Sequence, residues 1–300
     1  MNTFKALVQR EWLQHRFGWA MVSIAPLVVA MLIVTVGQND FKDELEAEMG
    51  TSMPTMVTMI CLGVSTAVTT AILWATSLIL TAGLARRDHA DRSNEFWLSM
   101  PVGHSASLGV PLLVHLIAVP VVAIGIGLFS GIVASLVLVS RAYGFGEWLA
   151  LPWGVMAPAA AATALRVAAG IPLAVLWLSP LILLLVLATA YFRSWGLVVL
   201  PVGLALADFG MQRIAGFTPI TDFLDRLFHN AGVAIFSPDP AHPGVENAGE
   251  LLDALGNAPA WALTGLLHAL QAIVSPTMLI ALLISAASFA LLVHWRSRSA

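Results

Sequence analysis

From 108 to 139 the chain runs for 32 residues in which His115 is the one ionisable side chain. As a helix this stretch would measure about 48 Å at 1.5 Å per residue, against about 30 Å for the hydrocarbon core of a bilayer. A helix apolar on every side is either buried or spans a membrane. Pro111 and Pro120 interrupt the stretch, and Gly127 and Gly131 stand in GxxxG spacing. It therefore predicts a membrane helix that tilts or kinks near Pro120 and meets a neighbour through its glycines. Comparable apolar runs at 19–37, 56–84, 167–192, 195–208 and 273–293 complete an all-α integral membrane protein with six transmembrane helices. Only 10% of residues are charged, where soluble domains carry about a quarter, so no large polar domain is left over.

The flanking charges orient the set. Lys5, Arg10, Arg16, Arg86, Arg87, Arg92, Arg193, Arg296 and Arg298 share one side if both termini do, nine of the 14 Lys and Arg residues. The positive-inside bias makes that side cytoplasmic, with a bacterial cytoplasmic (inner) membrane as the expected location. Residues 148–165 are mostly apolar, but a span there would invert everything after it and turn Arg296 and Arg298 outward. They are read as an interfacial or re-entrant excursion on the outer side. The segment 209–272 is extracytoplasmic, with one amphipathic helix carrying Ile220, Phe223, Leu224 and Leu227 on its apolar face and a second around Leu251, Leu252 and Leu255.

Before the first span, residues 3–16 place Phe4, Leu7, Val8 and Trp12 on one face, which predicts a helix lying in the membrane interface with those side chains in lipid. On the second span Gly63, Ala67, Ala71 and Ala75 recur every fourth residue, a stripe that lets another helix approach, within the chain or across a dimer. The single cysteine, Cys61, has no partner for an intrachain disulfide. His115 reads as a neutral imidazole bonded to a neighbouring helix near the cytoplasmic end, with a proton or substrate contact as the alternative.

The densest mixed charge lies at 85–107, ARRDHADRSNEFWLSMPVGHSAS, between the second and third spans. Ser93 can cap a short helix carrying Phe96, Trp97, Leu98 and Met100, and Pro101 stops it. Phe96 and Met100 sit one turn apart on the cytoplasmic side and need a cover, either the headgroup zone or a docked protein. Chemistry of the chain's own is not indicated. Lys5 and Lys42 are the only lysines and neither follows a Gly-rich phosphate loop. The eight histidines form no HExxH pair, so no metal or other cofactor is expected on this chain. No basic patch with interleaved aromatics implies a nucleic-acid partner. Carboxylates are missing from the centres of the spans, with Asp208 at an outer end, which argues against an ion-driven carrier.

Arg10-Glu11-Trp12 in an amphipathic N-terminal helix, six spans, and the run from Arg86 through Asn94-Glu95-Phe96-Trp97-Leu98 to Ser99-Met100-Pro101-Val102 resemble the permease subunit of type 2 ABC exporters. In residues the resemblance is specific over about 86–109. Ser93-Asn94 stand where the family often has Gly-Thr, and Gly103-His104 where a basic residue is common. The resemblance implies an elbow helix at 3–16 that includes Arg10, Glu11 and Trp12. It makes 85–107 a coupling segment in which Arg92, Glu95, Phe96, Trp97 and Met100 contact two cytosolic ATPase subunits, and it implies a second permease chain, as homodimer or heterodimer. ATP and Mg would be bound by those partners, so this chain would not itself be an enzyme. A membrane scaffold that recruits a cytosolic protein without transport is the competing expectation.

Overall fold

The computed structural model describes residues 3–36, 53–84, 103–236 and 248–299, all helical or in turns, with no strand among the described residues. Ten α-helices follow in chain order. They are α1 (Thr3–Val36), α2 (Met53–Ala82), α3 (His104–Leu113), α4 (Val119–Tyr143), α5 (Phe145–Leu149), α6 (Trp153–Phe192), α7 (Gly196–Ala215), α8 (Pro219–Ile235), α9 (Ala248–Ile273) and α10 (Pro276–Ser299). A π turn, Val114–Ala118, joins α3 to α4 where the sequence predicts a kink, and a 3₁₀ turn, Arg193–Trp195, joins α6 to α7. Pro120 explains the first: with no N–H to donate, it leaves the backbone of the preceding turn free to widen.

Among the described residues, four stretches are long and apolar enough to cross a membrane: Met53–Ala82, His104–Tyr143, Trp153–Ala215 and Pro276–Arg298. Their outward faces carry large apolar side chains such as Ile79, Phe129, Leu165, Ile214 and Leu283, all more than half exposed. A water-soluble protein does not display apolar surface on that scale, so the chain is a multi-pass membrane protein.

Three boundaries differ from the sequence-based ones. Residues 3–36 form one unbroken helix, with no turn between the expected elbow and the first span. The expected outer excursion at 148–165 is largely the first part of α6, which continues without a break to Phe192. Pro158, Pro172 and Pro180 lie inside that helix. It survives Pro158 because Met156 and Ala159 are buried against Leu255 of α9, so tertiary packing outweighs the lost hydrogen bond. The short fifth span, expected to end at Asp208, runs on as α7 to Ala215 and stops at Gly216, whose φ of 76° is the left-handed conformation that closes a helix.

Helix α2 packs along α4, and glycine makes the approach possible. A Cβ on Gly127 would stand 2.5 Å from Thr66 Cα, and one on Gly131 would stand 2.7 Å from Leu62 Cα. Without side chains the two backbones touch, the close packing that replaces the hydrophobic drive inside lipid. A second group forms around α6. Ala174 and Trp177 pack with Leu227, Ala231 and Ala234 of α8, Ala269 of α9, and Met278 and Ala281 of α10. The two groups meet where Leu84, Leu112, Leu116 and Ile182 cluster, and where Leu108 packs with Val186, Ala190 and Leu292.

Candidate functional site

Among the described residues, two places set ionisable side chains against helices other than their own with the partners resolved. The first is on α1, whose inward stripe is Leu7, Glu11, His15 and Trp19, one residue per turn. Leu7 packs into a cluster with Leu73, Val110, Val114 and Ala123. That docking carries Glu11, one turn on, into the interior, where it is fully buried. The π turn supplies its partner. His115, also fully buried, sets Nε2 3.1 Å from Glu11 Oε2. His15 adds a second imidazole with Nε2 3.8 Å from the same carboxylate oxygen. The His15 and His115 rings are 5.1 Å apart and nearly perpendicular, and Trp19 closes the far side 5.6 Å from each. His115 Nδ1 is buried with no hydrogen-bond partner. The ligand atoms of Glu11, His15 and His115 all lie within 4.8 Å of one another, which makes them the residues able to hold a metal ion among those described.

The second place is α8, which is held at both ends. Its first turn has no capping side chain of its own. Asp208 of α7 takes that role, accepting from the N–H of Ile220 (2.9 Å), the N–H of Thr221 (3.3 Å) and the hydroxyl of Thr221 (2.6 Å). At the other end Arg166 of α6, buried, donates to the carbonyls of Ala234 and Val233, the latter at 2.9 Å, and to Gly265 of α9 at 3.2 Å. Val233 and Ala234 are among the last carbonyls of α8, which have no partner within the helix. A carboxylate at the N-terminus and a guanidinium at the C-terminus both complement the helix dipole. Gly170, one turn after Arg166, leaves the room: a Cβ there would collide with the Ala234 carbonyl.

The residues expected to act fall in three groups. Arg92, Glu95, Phe96, Trp97 and Met100 lie outside the described residues. Arg10, Glu11 and Trp12 are all on α1 but do not share a surface: Trp12 is 56% exposed, Arg10 half-buried, and Glu11 faces His115. The expected lipid face of 3–16 is split in the same way, since Phe4 and Trp12 are exposed while Leu7 is in the core. Gly63, Ala67, Ala71 and Ala75 are exposed along α2. The chain's own α4 packs instead on the adjacent line of Leu62 and Thr66, because its glycines reach backbone there. The expectation of no tight ligand pair missed Glu11 and His15, which stand four residues apart on one helical face; their third member is about a hundred residues away. His115 does bond to a neighbouring helix, as expected, though its acceptor is a carboxylate.

Comparison with protein-family models, with curated proteins and with solved structures gives no match for the chain.

Proposed function

We propose that the chain is the membrane subunit of an ATP-driven type 2 ABC exporter, moving a substrate outward with energy from separate ATPase subunits. The observation that carries this reading is the Asn94-to-Val102 run, with its acidic residue, aromatic pair and Met-Pro-Val ending, in a charged segment between two membrane helices. The stems of that segment support it. Leu84 is buried beside Leu112 and Ile182, and Thr189 of α6 donates its hydroxyl to the carbonyl of Ala82 at 2.5 Å. On the other side α3 begins at His104 and buries Leu108 against α6 and α10. A push transmitted through Leu84 and His104 would therefore reach α3, α6 and α10.

In this reading α1 is a pass, and the Arg193–Trp195 turn divides the long 153–215 stretch into two, which makes six spans with both termini cytoplasmic. Two ATPase subunits bind the segment through Arg92, Glu95, Phe96, Trp97 and Met100, and a second permease chain packs on the exposed stripe of Gly63, Ala67, Ala71 and Ala75. ATP and Mg belong to the partners. Their closure moves the segment and shifts the population between two packings of α1, α2 and α7.

Copurification of the tagged chain from its host, followed by ATPase assay of wild type and of Glu95→Arg/Phe96→Ala, tests the proposal. A P-loop ATPase that accompanies the wild type and is lost from the double variant is expected. If no such ATPase copurifies, the exporter reading fails and a scaffold takes its place.

A further inference from the structure

The Glu11, His15 and His115 cluster needs an account that the exporter reading does not give, because coupling to an ATPase asks nothing of a carboxylate and two imidazoles buried between α1 and the π turn. We propose that these three side chains form a binding site for one divalent transition metal of the zinc class.

Three observations carry it. Two imidazole nitrogens and one carboxylate oxygen are a donor set for zinc-class ions, and three protein ligands leave a fourth position for water. The spacing fits. In a tetrahedral site with bonds of about 2.0–2.1 Å, donor atoms stand about 3.3 Å apart and two bound imidazole rings about 5 Å apart centre to centre. Here the oxygen-to-nitrogen separations are 3.1 and 3.8 Å, and the rings are 5.1 Å apart. All three ligand atoms lie within 4.8 Å of one another, and movement of His15 toward Glu11 and His115 closes the longer gaps. Third, the π turn Val114–Ala118 is what brings His115 to Glu11, and single π turns of this kind recur at functional sites.

The second imidazole decides against a simple pair. Glu11 with His115 alone would satisfy a fastening role, and His15 directed at the same oxygen adds a third donor. Once bound, the metal ties α1 to the junction of α3 and α4, the helix pair that follows 85–102.

The test uses the full chain in detergent, with any histidine tag removed, after treatment with a chelator. Co²⁺ is titrated while its visible d–d absorption is followed, and bound metal is counted by elemental analysis. The expected result is one Co²⁺ per chain with the intense bands of a four-coordinate ion, displaced by Zn²⁺. His15→Gln, Glu11→Gln and His115→Gln should each weaken binding on the order of 100-fold or more, since loss of an outer hydrogen-bonding partner alone costs 10–100-fold. His268→Gln, on an exposed position of α9, should leave it unchanged. His15→Gln keeps the test decisive if the two buried variants fail to fold. No stoichiometric Co²⁺ on the wild type, or binding that persists unweakened in His15→Gln, overturns the proposal. Neither outcome depends on nucleotide or on an ATPase partner.

Discussion

Replacing Arg166 by Met should release the C-terminal end of α8 while leaving most of the bundle in place. Arg166→Met keeps the length and apolar stem of the side chain but removes its donors to Val233, Ala234 and Gly265. The Gly265 carbonyl lies within α9 and retains its helical partner, so two acceptors, those of Val233 and Ala234, lose theirs. A hydrogen bond to a charged group is worth about 1.5–3 kcal/mol, and the favourable charge at the helix C-terminus adds up to about 2 kcal/mol. Relief of the buried guanidinium from desolvation offsets part of this, which leaves about 2–4 kcal/mol. At 1.4 kcal/mol per tenfold, the amides of the last turn of α8 should exchange with deuterium about 30- to 700-fold faster. Hydrogen exchange read by mass spectrometry, on wild type and variant in the same detergent, measures it. Arg166→Lys, with a point charge in place of a fork, should fall between the two. Unchanged exchange at 231–236 in a folded Arg166→Met protein would show that the guanidinium does not hold α8, and the reasoning would be wrong.

The opposite end gives a smaller effect. Asp208→Ala should cost about 1 kcal/mol, the usual worth of an N-terminal cap, seen as faster exchange at 220–222, and Asp208→Asn should cost less because its amide oxygen still accepts. Gly131→Val places a Cβ within 2.7 Å of Leu62 Cα and should lower the thermal unfolding temperature in detergent through about 1–3 kcal/mol of strain between α2 and α4. A Cβ on Gly63 meets nothing within 4 Å, so Gly63→Ala should not lower that temperature, while crosslinking between copies of the chain reports whether the exposed stripe is a dimer face.

How far the fold was legible follows from what each residue was asked to signal. Gly127 and Gly131 were readable because GxxxG in an apolar run has one physical use, and α4 puts it to that use. The stripe at Gly63, Ala67, Ala71 and Ala75 looked equally good, yet small residues mark only where a helix could approach, and the neighbour took the next line over. Proline and charge were over-read as breaks. Pro158 sits inside α6 because α9 covers that turn, and Asp208 sits inside α7 because the first turn of α8 supplies its hydrogen bonds. Both compensations come from segments far along the chain, so no local pattern announces them. Glu11 was hidden for a related reason: the apolar residues of 3–16 were grouped by their moment, whereas the helix turns inward along Leu7, Glu11 and His15, a stripe that is two-thirds polar. An i,i+4 carboxylate–imidazole pair, set beside the one histidine within a span, was the signal available.

The polar residues that look out of place in an apolar chain thus sit at the joints. Between helices in lipid there is little hydrophobic drive to hold a packing, so backbone contact and hydrogen bonds to charged groups carry the specificity. Glu11 and His115 join α1 to the π turn, within the group that α2 and α4 build, while Asp208 and Arg166 fix α8 within the group built on α6. Across the seam between the groups most of the contacts are different in kind, although the hydrogen bond from Thr189 of α6 to the Ala82 carbonyl of α2 also crosses it. Leu84, Leu112 and Leu116 meet Ile182 of α6 there, and Leu108 meets Val186, Ala190 and Leu292, all aliphatic or small and non-directional. Such surfaces can slide or re-form at small cost, whereas a capped helix end or a three-donor cluster is lost when its geometry shifts. Motion at the seam then has the Thr189–Ala82 hydrogen bond as its directional cost, and the seam is flanked by Leu84 and Leu108, on the two sides of 85–102. An external push on that segment would act where the bundle resists least, which is what the proposed coupling to an ATPase requires.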